Sequence, residues 1–325
     1  MMQGASARES GGAKKSRLCT HLRPFDALNT AFLIFLSVLV VFFANRIPGW
    51  GLLLSANIIG GAGILTLSAT RTNTRYSLLN VFRDWYIVPF TFLVFKEVYL
   101  IIQGLHRNDF DYILIALDRK IFGGDPTVWI GQYAIPLFTE ILQIAYASYF
   151  IIMIGVGVQL YLRKERTDFD RYIFALMFGF FLSYVGYLLV PAIGPRFTLH
   201  DFSALDNELP GVFLAGPIRD FLNAGESIPR NIADPWKYAQ RDVFPSGHTA
   251  MTLIALFYAA KFKLSGRWCY YVAGTLLVIA TVYLRYHYVV DLFGGVVTMM
   301  IAVWLAPKLI AWWDMNRECA VKEGS

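Results

Sequence analysis

Two histidines stand at the edges of long apolar stretches. His248 lies in Phe244-Pro245-Ser246-Gly247-His248-Thr249, and His287 in Arg285-Tyr286-His287-Tyr288-Val289-Val290-Asp291. A neutral imidazole is a nucleophile or a base, and its protonated form is an acid. Together the two motifs supply a nucleophile and a proton donor, an inventory that suits phosphoryl transfer at a membrane surface. His287 and Asp291 are four residues apart, so a helix would place them on one face. The carboxylate would then accept one ring N–H and leave the other nitrogen free to attack. An aspartate one turn inside a membrane helix is costly and by default marks a functional site. The plain alternative is a structural His–Asp pair.

The surrounding residues suit a phosphoryl group. Pro245 restricts the backbone before it, so a helix would begin near Ser246, and unpaired N–H groups at a helix start bind anions. Gly247 would let a phosphate oxygen approach the backbone closely. Arg285 and Arg196, the latter in Val190-Pro191-Ala192-Ile193-Gly194-Pro195-Arg196, offer planar forks that match phosphoryl oxygens. The ordinary readings are a serine helix cap and two arginines snorkelling to the membrane interface. No zinc spacing, P-loop or dinucleotide fingerprint appears, so neither a metal nor a cofactor is expected.

These residues need a scaffold that holds span ends together. The chain has 325 residues, 56% of them hydrophobic and 16% charged, against about 25% charged in soluble domains. The apolar residues fall into runs of about 20, the length that crosses a bilayer as a helix. The expectation is an all-α, polytopic membrane bundle with about eight spans: 27–45, 50–69, 85–105, 134–162, 171–192, 247–262, 267–285 and 288–310. The charge of +6 sits mostly in short loops beside the spans, where it sets topology and is no sign of nucleic-acid binding. Eighteen Lys and Arg fall on one side and 10 on the other. That split puts both termini in the cytoplasm and the two histidines on the non-cytoplasmic face. Cys19, Cys269 and Cys319 all map to the reducing side, so no disulfide is expected.

Four regions follow: a disordered cytoplasmic tail (1–24), a three-span region (25–105), a catalytic membrane domain (106–310) and a cytoplasmic tail (311–325). Segment 111–120 is too short and too charged to cross and reads as an interfacial amphipathic helix. Asp118, Arg119 and Lys120, followed by Gly123-Gly124, read as an amphipathic surface helix or, as the alternative, as a segment that closes over the site. Lys96-Glu97 inside the third span reads as a buried ion pair or the lining of a polar cavity. His106 and His200 have no partner motif. The Leu199–Asp242 loop, with Arg219, Arg230, Lys237 and Arg241, reads as a selector of anionic headgroups or as an ordinary hydrated loop.

Pro245-Ser246-Gly247-His248 and His287-x-x-x-Asp291 resemble the second and third signature motifs of the type 2 phosphatidic acid phosphatase and haloperoxidase superfamily. The Gly194-Pro195-Arg196 element and the Thr281–His287 stretch look more like its inositol phosphorylceramide synthase branch. The likeness is clearest over about residues 110–305. The superfamily's first motif, a lysine followed seven residues later by Arg-Pro, is reduced here to Arg196, with the proline before it. The third motif normally opens with Ser-Arg, where this chain has Ala280-Thr281. On a continuous helix the usual arginine lies about 120° from the histidine and Arg285 about 160°, a gap a flexible arginine covers.

The resemblance implies that His287 forms a phosphohistidine, Asp291 orients it, and His248 protonates the leaving alkoxide and then activates the acceptor. Arg196, Arg285, Ser246 and the backbone near Gly247 would bind the phosphoryl oxygens. The implied partner is a lipid with a phosphate or phosphodiester headgroup. The implied reaction is hydrolysis or transfer, including a phosphorylinositol-type transfer. An anionic-lipid transporter or flippase is the alternative from another class; it would need charged residues at mid-membrane and broken helices.

Overall fold

The structure, a computed structural model, describes residues 22–70, 77–105, 108–163, 166–228 and 232–322. Helices form because the apolar runs, in a medium without water, must satisfy their backbone groups internally. The first two are α1 (Pro24–Phe42) and α2 (Trp50–Ala69); α3 (Leu78–Trp85) and α4 (Ile87–Leu105) together form one long stretch. Next come α5 (Asp111–Phe122) and α6 (Pro126–Gly131), then α7 (Pro136–Ala147) and α8 (Tyr149–Tyr161). The remaining long elements are α9 (Thr167–Leu189), α10 (Ala215–Gly225), α11 (Gly247–Lys261), α12 (Arg267–Tyr283) and α13 (Val289–Lys322). No strand occurs among the described residues.

Among the described residues, five stretches are long and apolar enough to cross a membrane: α1, α2, α3 with α4, α9 and α13. The α7–α8 pair adds a sixth, bent by 46° at Ser148. Helices α11 and α12 occupy two further expected spans, but with 15 and 17 residues they fall short of about 20. The protein is an integral membrane helical bundle. Its outer surface carries Phe42, Leu52, Ile59, Ile151 and Trp304, all strongly exposed, as a lipid-facing surface requires.

Helix α9 is the axis of the fold, with most of its surface buried. It packs against α1, α4, α8, α11 and α13. Its aromatic side chains fill the core; Phe181 stacks on Phe32 with centroids 4.0 Å apart. At its N-terminal end, Asp84 is paired with Arg23 at 2.5 Å and with Arg166. This ties α1 and α3 to the start of α9 and engages Arg23, a residue of the expected 1–24 tail. Residues 1–21 of that tail lie outside the described residues, as do His106 and Arg230. Helix α13 runs past the expected span end at 310 to Lys322. Cys269 is free and exposed.

Candidate active site

The site forms where three chain segments meet beyond the C-terminal end of α9. The first is the turn that follows α9. Gly194 sits there with φ of 94°, and an added Cβ would lie 2.9 Å from the Tyr286 carbonyl oxygen. Asp111 on α5 accepts the N–H groups of Ile193 (3.0 Å) and Gly194 (2.8 Å) and the Tyr288 hydroxyl (2.8 Å). The Arg196 N–H donates to the Arg285 carbonyl at 3.0 Å. Arg196 is thereby fixed against the second segment, residues 284–288.

That segment follows α12, which ends in a Schellman motif: Tyr286 N–H to Thr281 O and Arg285 N–H to Val282 O. The left-handed residue of this motif is usually glycine. Here it is Arg285, with φ of 68°, a conformation that costs a non-glycine residue about 1 kcal/mol. The chain then passes through His287 and re-enters the bundle as α13. Asp118 of α5 caps that helix, accepting the N–H groups of Val289 (2.9 Å) and Val290 (2.8 Å).

The expectation that His287 and Asp291 share a helix face is corrected. His287 precedes α13, and Asp291 lies in its first turn. His287 Nδ1 is 3.1 Å from the Val243 carbonyl oxygen and 3.5 Å from Asp291 Oδ2. The Nδ1–H therefore donates chiefly to the backbone, and Nε2 carries the free lone pair. Asp291 Oδ2 accepts the Tyr288 N–H at 2.8 Å. Burial, with the charges of His248 and Arg196, holds the His287 pKa well below its ordinary value. The ring is thus neutral near pH 7.

The third segment is the turn before α11. Pro245 packs on Gly186 of α9 and Gly294 of α13, where a Cβ would clash at 2.2 and 3.0 Å. The Ser246 N–H donates to the Asp291 carbonyl at 3.0 Å, and its hydroxyl caps α11 by accepting the Thr249 N–H at 3.2 Å. Ser246 has no exposed surface. At Gly247, the space a Cβ would fill holds the Tyr187 hydroxyl, 2.3 Å from the ideal position. The glycine is thus required by Tyr187, a reason different from the expected approach of an anion.

His248 emerges from the first turn of α11. Its ring lies 4.7 Å from Tyr146 and 4.4 Å from Tyr149, the residues on either side of the α7–α8 bend. Its centroid is 5.7 Å from that of His287. Arg196 is the cation whose charge acts on both histidines. Arg285 is corrected here: it is off the helix and faces Glu208, with which it is paired, and its charge acts on His200. Its guanidinium lies against Gly131.

Other expectations are sorted by the same geometry. Lys96 and Glu97 are no ion pair. Glu97 accepts from Asn57 at 2.6 Å, and Lys96 reaches the Gly225 carbonyl at 2.9 Å and the Ser227 hydroxyl at 3.2 Å. Asp118 caps a helix, whereas Arg119 pairs with Asp125 on the surface at 2.8 Å. His200 Nε2 meets the Thr127 hydroxyl at 3.0 Å.

Several residues of the site are not singled out by the sequence motifs. Asp111 and Leu114 join Asp118 in the buried stripe of α5, and their spacing of three and seven is a usable signal. Glu226 and Asp242 lie in irregular chain and give no periodic signal. Glu226 is paired with Arg196. Asp242 acts on Tyr149, Tyr184 and Tyr187, and burial with the nearby Glu226 charge raises its pKa to about 7. Beside this site, a polar cavity of about 590 Å³ is lined by Asp201, Ser203, Asp206, Arg219 and Asn223 among others. Asn223 Oδ1 accepts from Arg196 at 3.4 Å.

Among the described residues, no group of three or more His, Cys, Asp or Glu is placed to hold a metal ion. The family profile described as the PAP2 superfamily matches residues 113–305. A PA-phosphatase related-family protein of Dictyostelium discoideum is 27% identical over 222 residues, covering 58% of this chain and 38% of the relative. The chain thus spans well under half the length of that relative. No solved structure matches.

Proposed function

The chain belongs to the PAP2 superfamily, and from that premise we propose that it cleaves a lipid phosphate ester through a phosphohistidine on His287. The observation that carries this reading is the pair of histidine rings 5.7 Å apart, with His287 Nδ1 engaged by a carbonyl and Arg196 acting on both. His287 Nε2 attacks phosphorus, and the P–O bond to the lipid alkoxide breaks. His248, as imidazolium, gives its proton to the leaving oxygen. The phosphoryl charge beside Arg196 favours that imidazolium. His248 then takes a proton from the acceptor hydroxyl, the acceptor attacks phosphorus, and the P–N bond breaks. Arg196 stabilises the phosphoryl oxygens throughout. Asp291 holds the loop through the Tyr288 N–H, with its Oδ2 3.5 Å from His287 Nδ1. No step calls for a metal ion. By the charge asymmetry of the loops, the site faces the non-cytoplasmic side and both termini the cytoplasm.

Water as acceptor makes the protein a lipid phosphatase. The polar cavity next to Asn223 and Arg196 favours a second reading, in which a hydroxyl-bearing headgroup occupies it and the reaction is a phosphorylinositol-type transfer. The test is phosphate release by purified protein in detergent with EDTA, from phosphatidate, lysophosphatidate, sphingoid phosphate and prenyl pyrophosphate. Release lost in His287→Ala supports the phosphatase. Silence on this panel with turnover of phosphatidylinositol and ceramide supports the transferase. Silence in both overturns the proposal.

A further inference from the structure

The two arginines singled out as phosphate clamps are both occupied by glutamates, and both glutamates come from the segment between Arg196 and Ser246. Glu226 is paired with Arg196, and Glu208 with Arg285. Only the first pair bears on the histidines, because Arg196 is the cation that acts on both rings. A carboxylate on that guanidinium stands where a phosphoryl oxygen would have to be. Arg196 is almost fully buried, with its guanidinium 4.7 Å from the ring centres of both Phe197 and Tyr286. Glu226 is more exposed, at 21% of its side chain against 7% for Arg196. In this pair the cation is fixed and the anion is on the solvent side.

The turn bearing Glu226 is itself held. Lys96 of α4 donates to the residues on either side, Gly225 and Ser227. Gln240 donates to the Glu226 carbonyl at 2.7 Å. Ser227 sits at φ of 66°, a strained conformation for a residue with a side chain. The preceding helix, α10, is anchored at its start by Glu140, which accepts the N–H groups of Val212 (2.8 Å), Leu214 (2.5 Å) and Ala215 (3.1 Å). The segment is thus pinned at both ends, with Glu226 as its tip.

We propose that Glu226 is a specificity-determining residue, an internal anion on Arg196 that the substrate phosphoryl group displaces, and that Lys96 is the positioning residue that holds it there. The proposal rests on the functional reading above. It follows that a ligand must offer Arg196 more than a single carboxylate does. A phosphoryl group does so, with more charge and more acceptor oxygens. A fatty-acid carboxylate, abundant in the same membrane, does not. Lys96 comes from outside the matched stretch 113–305, so the N-terminal helices contribute to recognition as well as to anchoring.

The test is the binding of inorganic phosphate to purified full-length protein in detergent, by calorimetry, in wild type, Glu226→Gln, Glu226→Asp and Lys96→Met, beside lipid turnover. Glu226→Gln should bind phosphate about tenfold more tightly, with KM falling more than kcat changes. Glu226→Asp should stay near wild type, and Lys96→Met should fall between the two. Adding Arg196→Ala to Glu226→Gln should abolish the gain. Unchanged or weaker phosphate binding in Glu226→Gln, in protein that melts at the wild-type temperature, overturns the inference. If no variant turns over lipid but Glu226→Gln gains phosphate affinity through Arg196, the inference stands and the functional reading falls. If wild type turns over lipid and the gain is absent, only the inference falls.

Discussion

The proposed nucleophile, His287 Nε2, is left free by what holds the other nitrogen. The Val243 carbonyl is the nearer acceptor of Nδ1–H, at 3.1 Å, and Asp291 the farther, at 3.5 Å. Asp291→Asn should therefore cost about 10–100-fold in kcat, as loss of an outer-sphere orienting partner does. A loss of 10⁴-fold in single-turnover kinetics would make Asp291 the sole orienter. Protonation of His287 should be visible too. Its folded pKa is depressed below the unfolded value near 6.5. Between the two values the unfolded chain binds more protons, so this histidine's contribution to stability is full above pH 6.5 and declines as pH falls. The acid limb of kcat/KM should accordingly lie below pH 6.5, read from a pH profile in buffers of constant ionic strength. Both histidines and Asp291, singled out by motif and spacing, meet in one cluster, though not on one helix face. Val243 was not legible, because a backbone acceptor leaves no mark on residue type. Arg285 was legible as a residue but not in its direction, since a helix ending two residues earlier breaks the angular argument.

Helix α5 shows how an element positions a site it does not enter. Its buried stripe delivers Asp111 to the Gly194 turn and Asp118 to the start of α13. Asp118 satisfies two of the unpaired N–H groups at that start. Removing it with Asp118→Ala should destabilise the protein by about 1–2 kcal/mol, the scale of a lost helix cap. It should also lower kcat, because His287 sits immediately before the freed turn. Thermal melting in detergent and initial rates check both; unchanged melting would show the cap to be redundant. The short amphipathic helix was expected here from its composition. Its job was not, because capping between helices distant in sequence depends on tertiary contact. The same holds for α11 and α12: their apolar runs read as spans, and the capped ends that shorten them are set by Ser246 and by the turn at Arg285.

Across the whole molecule, α9 links two polar ends. Its 23 residues extend about 34 Å. The Arg23–Asp84–Arg166 network lies at one end and Arg196 follows the other. Asp84→Ala would leave two arginines without their shared carboxylate. The expected cost is about 3 kcal/mol, the low end for breaking a buried pair, because Arg166 is partly exposed. Activity per folded molecule should hold, measured as kcat on protein that survives size exclusion. Loss of kcat without loss of melting temperature would couple the two ends. The membrane class and helical architecture were readable from apolar run length. The number of full crossings is less legible, because a run that ends in loops and a run that ends in lipid headgroups look alike in composition.

The bend between α7 and α8 places Tyr146 and Tyr149 against one imidazole, His248, from the two sides of a single break. A ring so confined has lost its rotational freedom when the chain folds, before any lipid arrives. In the proposed mechanism each turnover then starts with the proton donor already aligned, and the orienting entropy is absent from the barrier. The same confinement prevents the ring from swinging out to collect a proton. In the proposed cycle the proton must then be exchanged in place, and the rate of that exchange with solvent would cap the speed of turnover.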